Sequence, residues 1–500
     1  FFYTAFTMVS LLEVLVDANK TNESSFAVRI PDGRDVTYKQ FLDEIHNIQA
    51  QLTKLGKLQT QDTIAIVAPN GLPFLVSFLG AATARMKVAP LNPAYSVDEF
   101  SFYLKDTDAK AILITEDWKE HSARVAAANL HIPVWELCSN DDNVFITFPF
   151  ESESFDLPPL IHPHEDDIAL FLHTSGTTST PKGVPLTHLN IYTSITNISN
   201  TYKLSSDDTS LVVMPLFHVH GLIGATLSTF KSKGTVVVPP RFSASEFWNQ
   251  VLKYNVSWYS AVPTIHQILL IRAETEPIPD GVNFRFIRSS SSSLAPSTLS
   301  KLESTLGAPV LEAYGMTEAS HQMASNPLPE DGKSRPGSVG KGTNVEIIIM
   351  GDDNKPLPEL EKGEVCIKGK NVTLGYHNRP DANIANFTEG WFRTGDQGYL
   401  EDGYLTLTGR IKELINRGGE KISPIELDSL LLEHPKVQAA VSFSVPDEKY
   451  GEEVNAAVVL KEGETATEDD IKEFCKSKIA EFKIPKVVFI ANDFPRTATG

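Results

Sequence analysis

Hydroxyls, glycines and one lysine crowd into His173-Thr174-Ser175-Gly176-Thr177-Thr178-Ser179-Thr180-Pro181-Lys182-Gly183, directly behind the apolar stretch 168–172. Glycine lets backbone N–H groups come close to an anion, the hydroxyls add donors, and Lys182 supplies a point charge. Such a loop suits a polyphosphate. It is not a GxxxxGK[ST] loop, because the glycine spacing differs and Lys182 is followed by glycine rather than Ser or Thr. By itself the run also reads as a Ser/Thr-rich surface loop, so its meaning depends on what accompanies it.

Three later segments carry complementary chemistry. In Leu311-Glu312-Ala313-Tyr314-Gly315-Met316-Thr317-Glu318, Tyr314 can stack on a purine and Glu318 can hold a hard Mg2+ that bridges phosphate oxygens. In Trp391-Phe392-Arg393-Thr394-Gly395-Asp396 and Gly409-Arg410-Ile411-Lys412-Glu413-Leu414-Ile415, Asp396 can accept from ribose hydroxyls and Arg410 can donate to ribose or phosphate. Taken singly, Tyr314 is an ordinary core aromatic and Asp396 a turn residue. Their ordered occurrence behind one phosphate loop favours a nucleotide site.

With these motifs in this order, nearly the whole chain resembles the adenylate-forming, acyl-activating (AMP-binding) superfamily. The resemblance implies that Thr174, Ser175, Gly176, Thr177, Thr178 and Lys182 hold phosphates. It implies that Glu312, Ala313, Tyr314, Gly315, Met316 and Thr317 frame adenine, and that Asp396 and Arg410 hold ribose. Glu318 becomes the metal ligand, Lys412 the domain hinge, and Gly418, Gly419 and Glu420 the loop that meets coenzyme A. Thr174, His218, Glu318 and Lys412 form the implied catalytic set. The implied cofactors are ATP, Mg2+ and coenzyme A: a carboxylate attacks the α-phosphorus of ATP, and a thiol then displaces AMP from the acyl-adenylate.

Within that superfamily the segment Met214-Pro215-Leu216-Phe217-His218-Val219-His220-Gly221 corresponds to a wall of the acid pocket, together with Thr264-Ile265-His266-Gln267 and residues 284–294. Imidazoles and hydroxyls are costly linings for an alkyl tail and suit a small, doubly charged acid. The detailed strings are most similar to the oxalyl-CoA synthetases of plants and fungi. That similarity implies that His218 and Ser291 orient oxalate, with His266 and His321 as further contributors. Ser290 departs from the pattern, in which Cys is expected. A CoA ligase for another short, aromatic or medium-chain acid is the nearest alternative, and a nucleotide-binding pseudoenzyme is another.

The elements that must position these residues read as α/β. Short β-rich runs alternate with helical patterns: 63–68 then 72–85, 111–115 then a helix through 128, and 168–173 then a helix from about 188. Further strands are expected at 211–214, 235–238, 256–259, 284–288 and 310–313, in parallel sheets covered by helices. Residues 326–340, rich in Pro, Gly and charge, are expected to separate these units from a β-rich module that starts near 341 and ends near 407. The expected division is a 1–409 N-terminal region followed by a 410–500 mobile α+β cap. The apolar start, 1–16, lacks a secretory pattern and is expected to be a leading helix.

Composition narrows the classes. Lys+Arg 44 against Asp+Glu 63 gives −19 over 500 residues, which disfavours general binding to nucleic acid or anionic membranes. Cys138, Cys366 and Cys475 are far apart and form no CxxC, so an intracellular, reducing compartment is expected, and the resemblance to the fungal enzymes implies a peroxisomal or cytoplasmic one. The partners expected are a small carboxylate, ATP and coenzyme A. The string Pro495-Arg496-Thr497-Ala498-Thr499-Gly500 matches the start of a motif that continues with the adenylation Lys, and the natural chain is expected to continue through it. A peroxisomal address would lie beyond that point.

Overall fold

Strand Thr63–Val67, a TIAIV run buried on both faces, is the kind of segment that fills the middle of a parallel sheet. In the computed structural model, which describes residues 9–150, 155–174 and 181–494, it lies between the parallel strands Lys87–Pro90 and Ala109–Thr115. That seven-stranded sheet ends in Ile168–Thr174 and, antiparallel to it, Lys182–Thr187. A second, nine-stranded sheet carries Thr209–Leu211, Trp258–Ala261, Phe286–Ser290 and Val310–Met316 as parallel neighbours. Its strand His321–Ser325 turns back antiparallel on Val310–Met316.

Helix Leu72–Thr83 buries every residue but Pro73, which sits near the helix start, where its missing N–H costs nothing. Helix Tyr38–Ala50 touches strands of both sheets, and so does His188–Thr201. These helices are the shared layer between the sheets, and one continuous hydrophobic core runs through all three layers. Helices Val97–Asp106 and Ser122–Asn129 cover the far face of the smaller sheet, while Phe247–Tyr254, Pro263–Thr275 and Pro296–Leu306 cover that of the larger. The phosphate-loop strand, the acid-pocket segment and the adenine segment are thereby aimed at one crevice.

Several expectations change in detail. The leading helix spans Leu11–Asn22, later than expected; residues 1–8 lie outside the described part. The step from 168–173 to the helix at 188 contains an unforeseen strand, Lys182–Thr187. Segment 326–340 exposes 329–333 yet is tied inward: Asn326 is buried and donates to the Ser338 carbonyl at 2.6 Å, and Ser338 Oγ donates to the Leu405 carbonyl at 2.7 Å. The β-rich module of Glu346–Met350, Gly363–Lys368, Trp391–Glu401 and Tyr404–Arg410 thus shares the large core through Val365, Ile367, Phe392 and Leu405.

Past Arg410 the chain changes sheet. Ile415–Arg417, Glu420–Ile422, Val437–Asp447, Gly451–Leu460 and Val487–Ala491 form a separate five-stranded sheet with helices Pro424–Leu432 and Glu468–Lys476, closed over their own small apolar clusters.

Candidate active site

A cavity of about 680 Å3 opens where these layers meet, and Thr174, Lys182, His218, Ser291, Glu318, His321, Arg410 and Lys412 all line it. Thr174 and Lys182 face each other as a register pair on antiparallel strands. Ser175, Gly176, Thr177 and Thr178 lie outside the described residues.

Strand Val310–Met316 and the short turn Thr317–Ala319 deliver the adenine segment. Only Gly315, Met316, Thr317 and Glu318 of it reach the cavity wall. Gly315 is required by close approach: a Cβ there would lie 2.3 Å from the His321 carbonyl oxygen. Tyr314 is buried one residue back, and its hydroxyl donates to Asp396 rather than presenting a free ring. Ala313 is buried, and the carboxylate of Glu312 accepts from the N–H groups of Leu294 (3.4 Å) and Gly337 (3.1 Å). Burial pushes the Glu312 carboxyl up to about 7. Glu312 therefore pins two loops at the cavity margin.

Glu318 is buried, and burial raises its carboxyl above the usual range, opposed chiefly by the Tyr376 hydroxyl, which donates to Oε1 at 2.7 Å. Lys182 Nζ lies 4.5 Å from the centre of the same Tyr376 ring. Tyr376 was not anticipated, since no local motif marks it. Among the described residues no cluster of three or more His, Cys, Asp or Glu could cage a metal. One hard carboxylate beside a phosphate loop fits a Mg2+ whose remaining ligands are phosphate oxygens and water, not a caged resident ion.

Asp396 sits just behind Thr394 and Gly395, which line the cavity, with Arg410 Nε 3.4 Å from its Oδ1. Burial raises its carboxyl, and the Tyr314 hydroxyl opposes that shift. Gly395, at φ 76°, places its N–H 3.0 Å from Glu364, which also pairs with Arg393. The loop is thus fixed by ion pairs before any ribose arrives.

At the acid end, His218, His220, Ser291 and His321 meet. Burial holds the His218 ring neutral, its titration lowered to about 4. His220 stacks on His321 with centroids 5.0 Å apart, and its Nδ1 lies 3.0 Å from Ser291 Oγ. Ser291 (φ 75°) and His321 (φ 87°) both hold backbone conformations that are uncommon for such residues, as functional sites often do. The serine run is therefore not simply a loop: Ser289 and Ser290 end strand Phe286–Ser290, and Ser290 Oγ donates to the Ala313 carbonyl at 2.9 Å.

His266 is a correction. It is fully buried on helix Pro263–Thr275 with Nδ1 3.2 Å from the Tyr259 hydroxyl, and it is absent from the cavity wall. The PTIHQ string did not reveal that its His packs against Tyr259 of strand Trp258–Ala261 rather than the cavity. Gly418, Gly419 and Glu420 also stand away from the cavity, in the hairpin between Ile415–Arg417 and Glu420–Ile422. Gly418 and Gly419 have φ 60° and 99°, which explains the glycine pair. His173 was missed as a wall residue; its Nε2 lies 2.8 Å from Asp106, a partner far away in sequence.

Comparison with known proteins bears on this geometry. Residues 15–377 match the model of the AMP-binding enzyme family, and 426–500 that of the AMP-binding enzyme C-terminal domain. An oxalate–CoA ligase of Arabidopsis thaliana is 50% identical over 95% of this chain and 95% of its own. One from Saccharomyces cerevisiae is 48% identical over 99% of this chain and 96% of its own. ATP-bound MatB from Rhodopseudomonas palustris superposes with a TM-score of 0.89 at 28% identity, covering 99% of this chain and 97% of that one. By its motifs, its layered fold and these matches along nearly its whole length, the chain belongs to the AMP-binding enzyme family.

Proposed function

We propose that the protein is an ATP-dependent acid–thiol ligase that converts oxalate and coenzyme A to oxalyl-CoA, releasing AMP and diphosphate. The observation that carries the acid assignment is that His218, His220, Ser291 and His321 line the same cavity as Thr174, Lys182 and Glu318, with His220 bonded to Ser291 and stacked on His321. A wall of imidazoles and hydroxyls compensates a small dianion and penalises an alkyl chain. The oxalate–CoA ligase relatives at about half identity support the same substrate.

In the first step an oxalate oxygen forms a bond to the α-phosphorus as the bond to the diphosphate oxygen breaks. The nucleophile belongs to the substrate, so the chain supplies positioning and charge. Neutral His218 offers a hydrogen bond to the reacting carboxylate, and Ser291 holds the distal one. Lys182 and Thr174 face the phosphates, Gly315, Met316 and Thr317 edge the base, and Asp396 with Arg410 fixes the ribose. Glu318 would hold Mg2+, which neutralises phosphate charge when bound. In the second step the thiol sulfur bonds to the acyl carbon, the bond to the AMP oxygen breaks, and the thiol proton is lost to solvent.

We propose that 410–500 acts as a mobile cap on a 1–409 body, pivoting at Lys412 to bring the Gly418-Gly419-Glu420 turn to the cavity for the thiol. A peroxisomal or cytoplasmic site of action is supported by three buried, free thiols. No described helix is long and apolar enough to cross a membrane.

The assay is diphosphate release and acyl-CoA formation with oxalate, malonate, acetate, octanoate and 4-coumarate. Oxalate should give the highest kcat/KM. A clear preference for octanoate or coumarate would overturn the acid assignment while leaving the ligase chemistry.

A further inference from the structure

Arg288, on strand Phe286–Ser290, is fully buried, and among the described residues no carboxylate lies within ion-pair distance of it. Its partners are neutral: Nε donates to the Tyr202 hydroxyl at 2.9 Å, Nη2 to Gln322 Oε1 at 3.0 Å, and Nη1 to Ser260 Oγ at 2.9 Å. A buried cation without a counter-ion is costly unless something anionic completes its environment.

The third contact leads to the cavity. Ser260 Oγ lies 2.7 Å from His220 Nε2, and His220 Nδ1 lies 3.0 Å from Ser291 Oγ. A guanidinium can only donate, so Ser260 accepts from Arg288 and its own proton is free for His220 Nε2. His220, kept neutral by burial and by the neighbouring guanidinium, then carries its proton on Nδ1 and donates to Ser291. The hydroxyl proton of Ser291 is left to point into the cavity. In the reverse arrangement, the Ser260 proton would have no acceptor among the described residues at a position 1% exposed, which is costly.

We infer that Arg288 is a positioning and specificity residue: through Ser260 and His220 it fixes the Ser291 hydroxyl as a donor to the distal carboxylate, and its charge favours acids with a second anionic group. His321 belongs to the same assembly. It stacks on His220, and Gly224 leaves the room, since a Cβ there would lie 2.6 Å from His321 Nε2 and 3.4 Å from Arg288 Nη1. This inference rests on the proposed acid site, and the test separates the two.

Diphosphate release is measured with saturating and varied oxalate and ATP for the full chain, Ser260→Ala, Ser260→Thr and Arg288→Gln, with melting temperature as the check on folding. Ser260→Ala breaks the relay and leaves the cation. It should raise KM for oxalate at least tenfold with KM for ATP within twofold, and Ser260→Thr, which restores a hydroxyl, should recover most of the loss. Arg288→Gln, a neutral side chain that still donates, should raise KM for oxalate further if it folds, and Ser260→Ala decides the matter if it does not. An oxalate KM within twofold of wild type, equal rises for oxalate and ATP, or no rescue by Thr would overturn the inference. Wild-type protein that ignores oxalate would overturn the acid assignment instead; the same split is then read on its preferred acid, where a loss not confined to acids with a second anionic group would sink the relay.

Discussion

Tyr376 shows how a single hydroxyl can tune the nucleotide end. Its bond to Glu318 opposes the upward shift that burial imposes on that carboxyl. Tyr376→Phe removes the bond and keeps the ring beneath Lys182. The Glu318 titration must then rise further, so the carboxylate becomes protonated at a higher pH. A hydrogen bond to a charged group is worth about 1.5–3 kcal/mol, and the acid limb of kcat/KM for MgATP should move up by about one to two pH units. A pH–rate profile checks this; a limb that stays in place would separate Glu318 from the metal.

Helix His188–Thr201 carries a comparable device at the scale of elements. His188 begins it, accepts the Leu11 N–H on Nδ1 (3.2 Å) and lies 3.1 Å from the Ala82 carbonyl through Nε2, so it ties helix Leu11–Asn22 to helix Leu72–Thr83. Both contacts require the neutral ring with its proton on Nε2, and burial lowers its titration from 6.5 to about 4. A lowered folded-state value means that its stabilisation is present above pH 6.5 and is lost as pH falls toward 4. The slope is about 1.4 kcal/mol per pH unit for one proton. His188→Gln should flatten the fall in urea midpoint across that window relative to wild type, at some cost in stability near neutrality. Identical slopes would mean that another group controls the acid side.

At the scale of the whole molecule, the link between the two sheets lies on the cavity wall, which includes Arg410, Ile411, Lys412 and Glu413. Residues 411–414 are the only stretch between strand Tyr404–Arg410 and strand Ile415–Arg417, and the two sheets close over separate apolar clusters. In this turn the Glu413 and Leu414 N–H groups bond to the Arg410 carbonyl, whereas the Lys412 N–H has no hydrogen-bond partner among the described residues. Proline at 412 therefore removes no bond from this arrangement, yet it restricts rotation about the link. Lys412→Pro should slow thioester formation from supplied oxalyl-adenylate far more than it slows adenylation. Rapid-quench measurement of the two half-reactions tests this, and equal slowing would contradict a pivot at Lys412.

The sequence by itself determined the layered α/β class, the nucleotide motifs and the polar character of the acid pocket. These are local: contiguous strings such as Leu311–Glu318 or Phe217–His220 encode backbone shape and donor type within a few residues. The alternating strand and helix patterns followed from burial on one or both faces, so most element positions were legible to within a few residues. The antiparallel strand Lys182–Thr187 was not, because hydroxyls and glycines masked its short apolar alternation. Nor could composition tell that 326–340, whose prolines and glycines resemble a linker, is anchored inward through Asn326 and Ser338 while 329–333 stays exposed. Only the tertiary structure decided which histidines face the cavity. It set His266 against Tyr259 and His220 against Ser291, and placed Arg288 behind His220 with only neutral partners. The reason is that buried polar groups find their partners across strands and helices that are remote in sequence, and that satisfaction is decided by packing rather than by any local string.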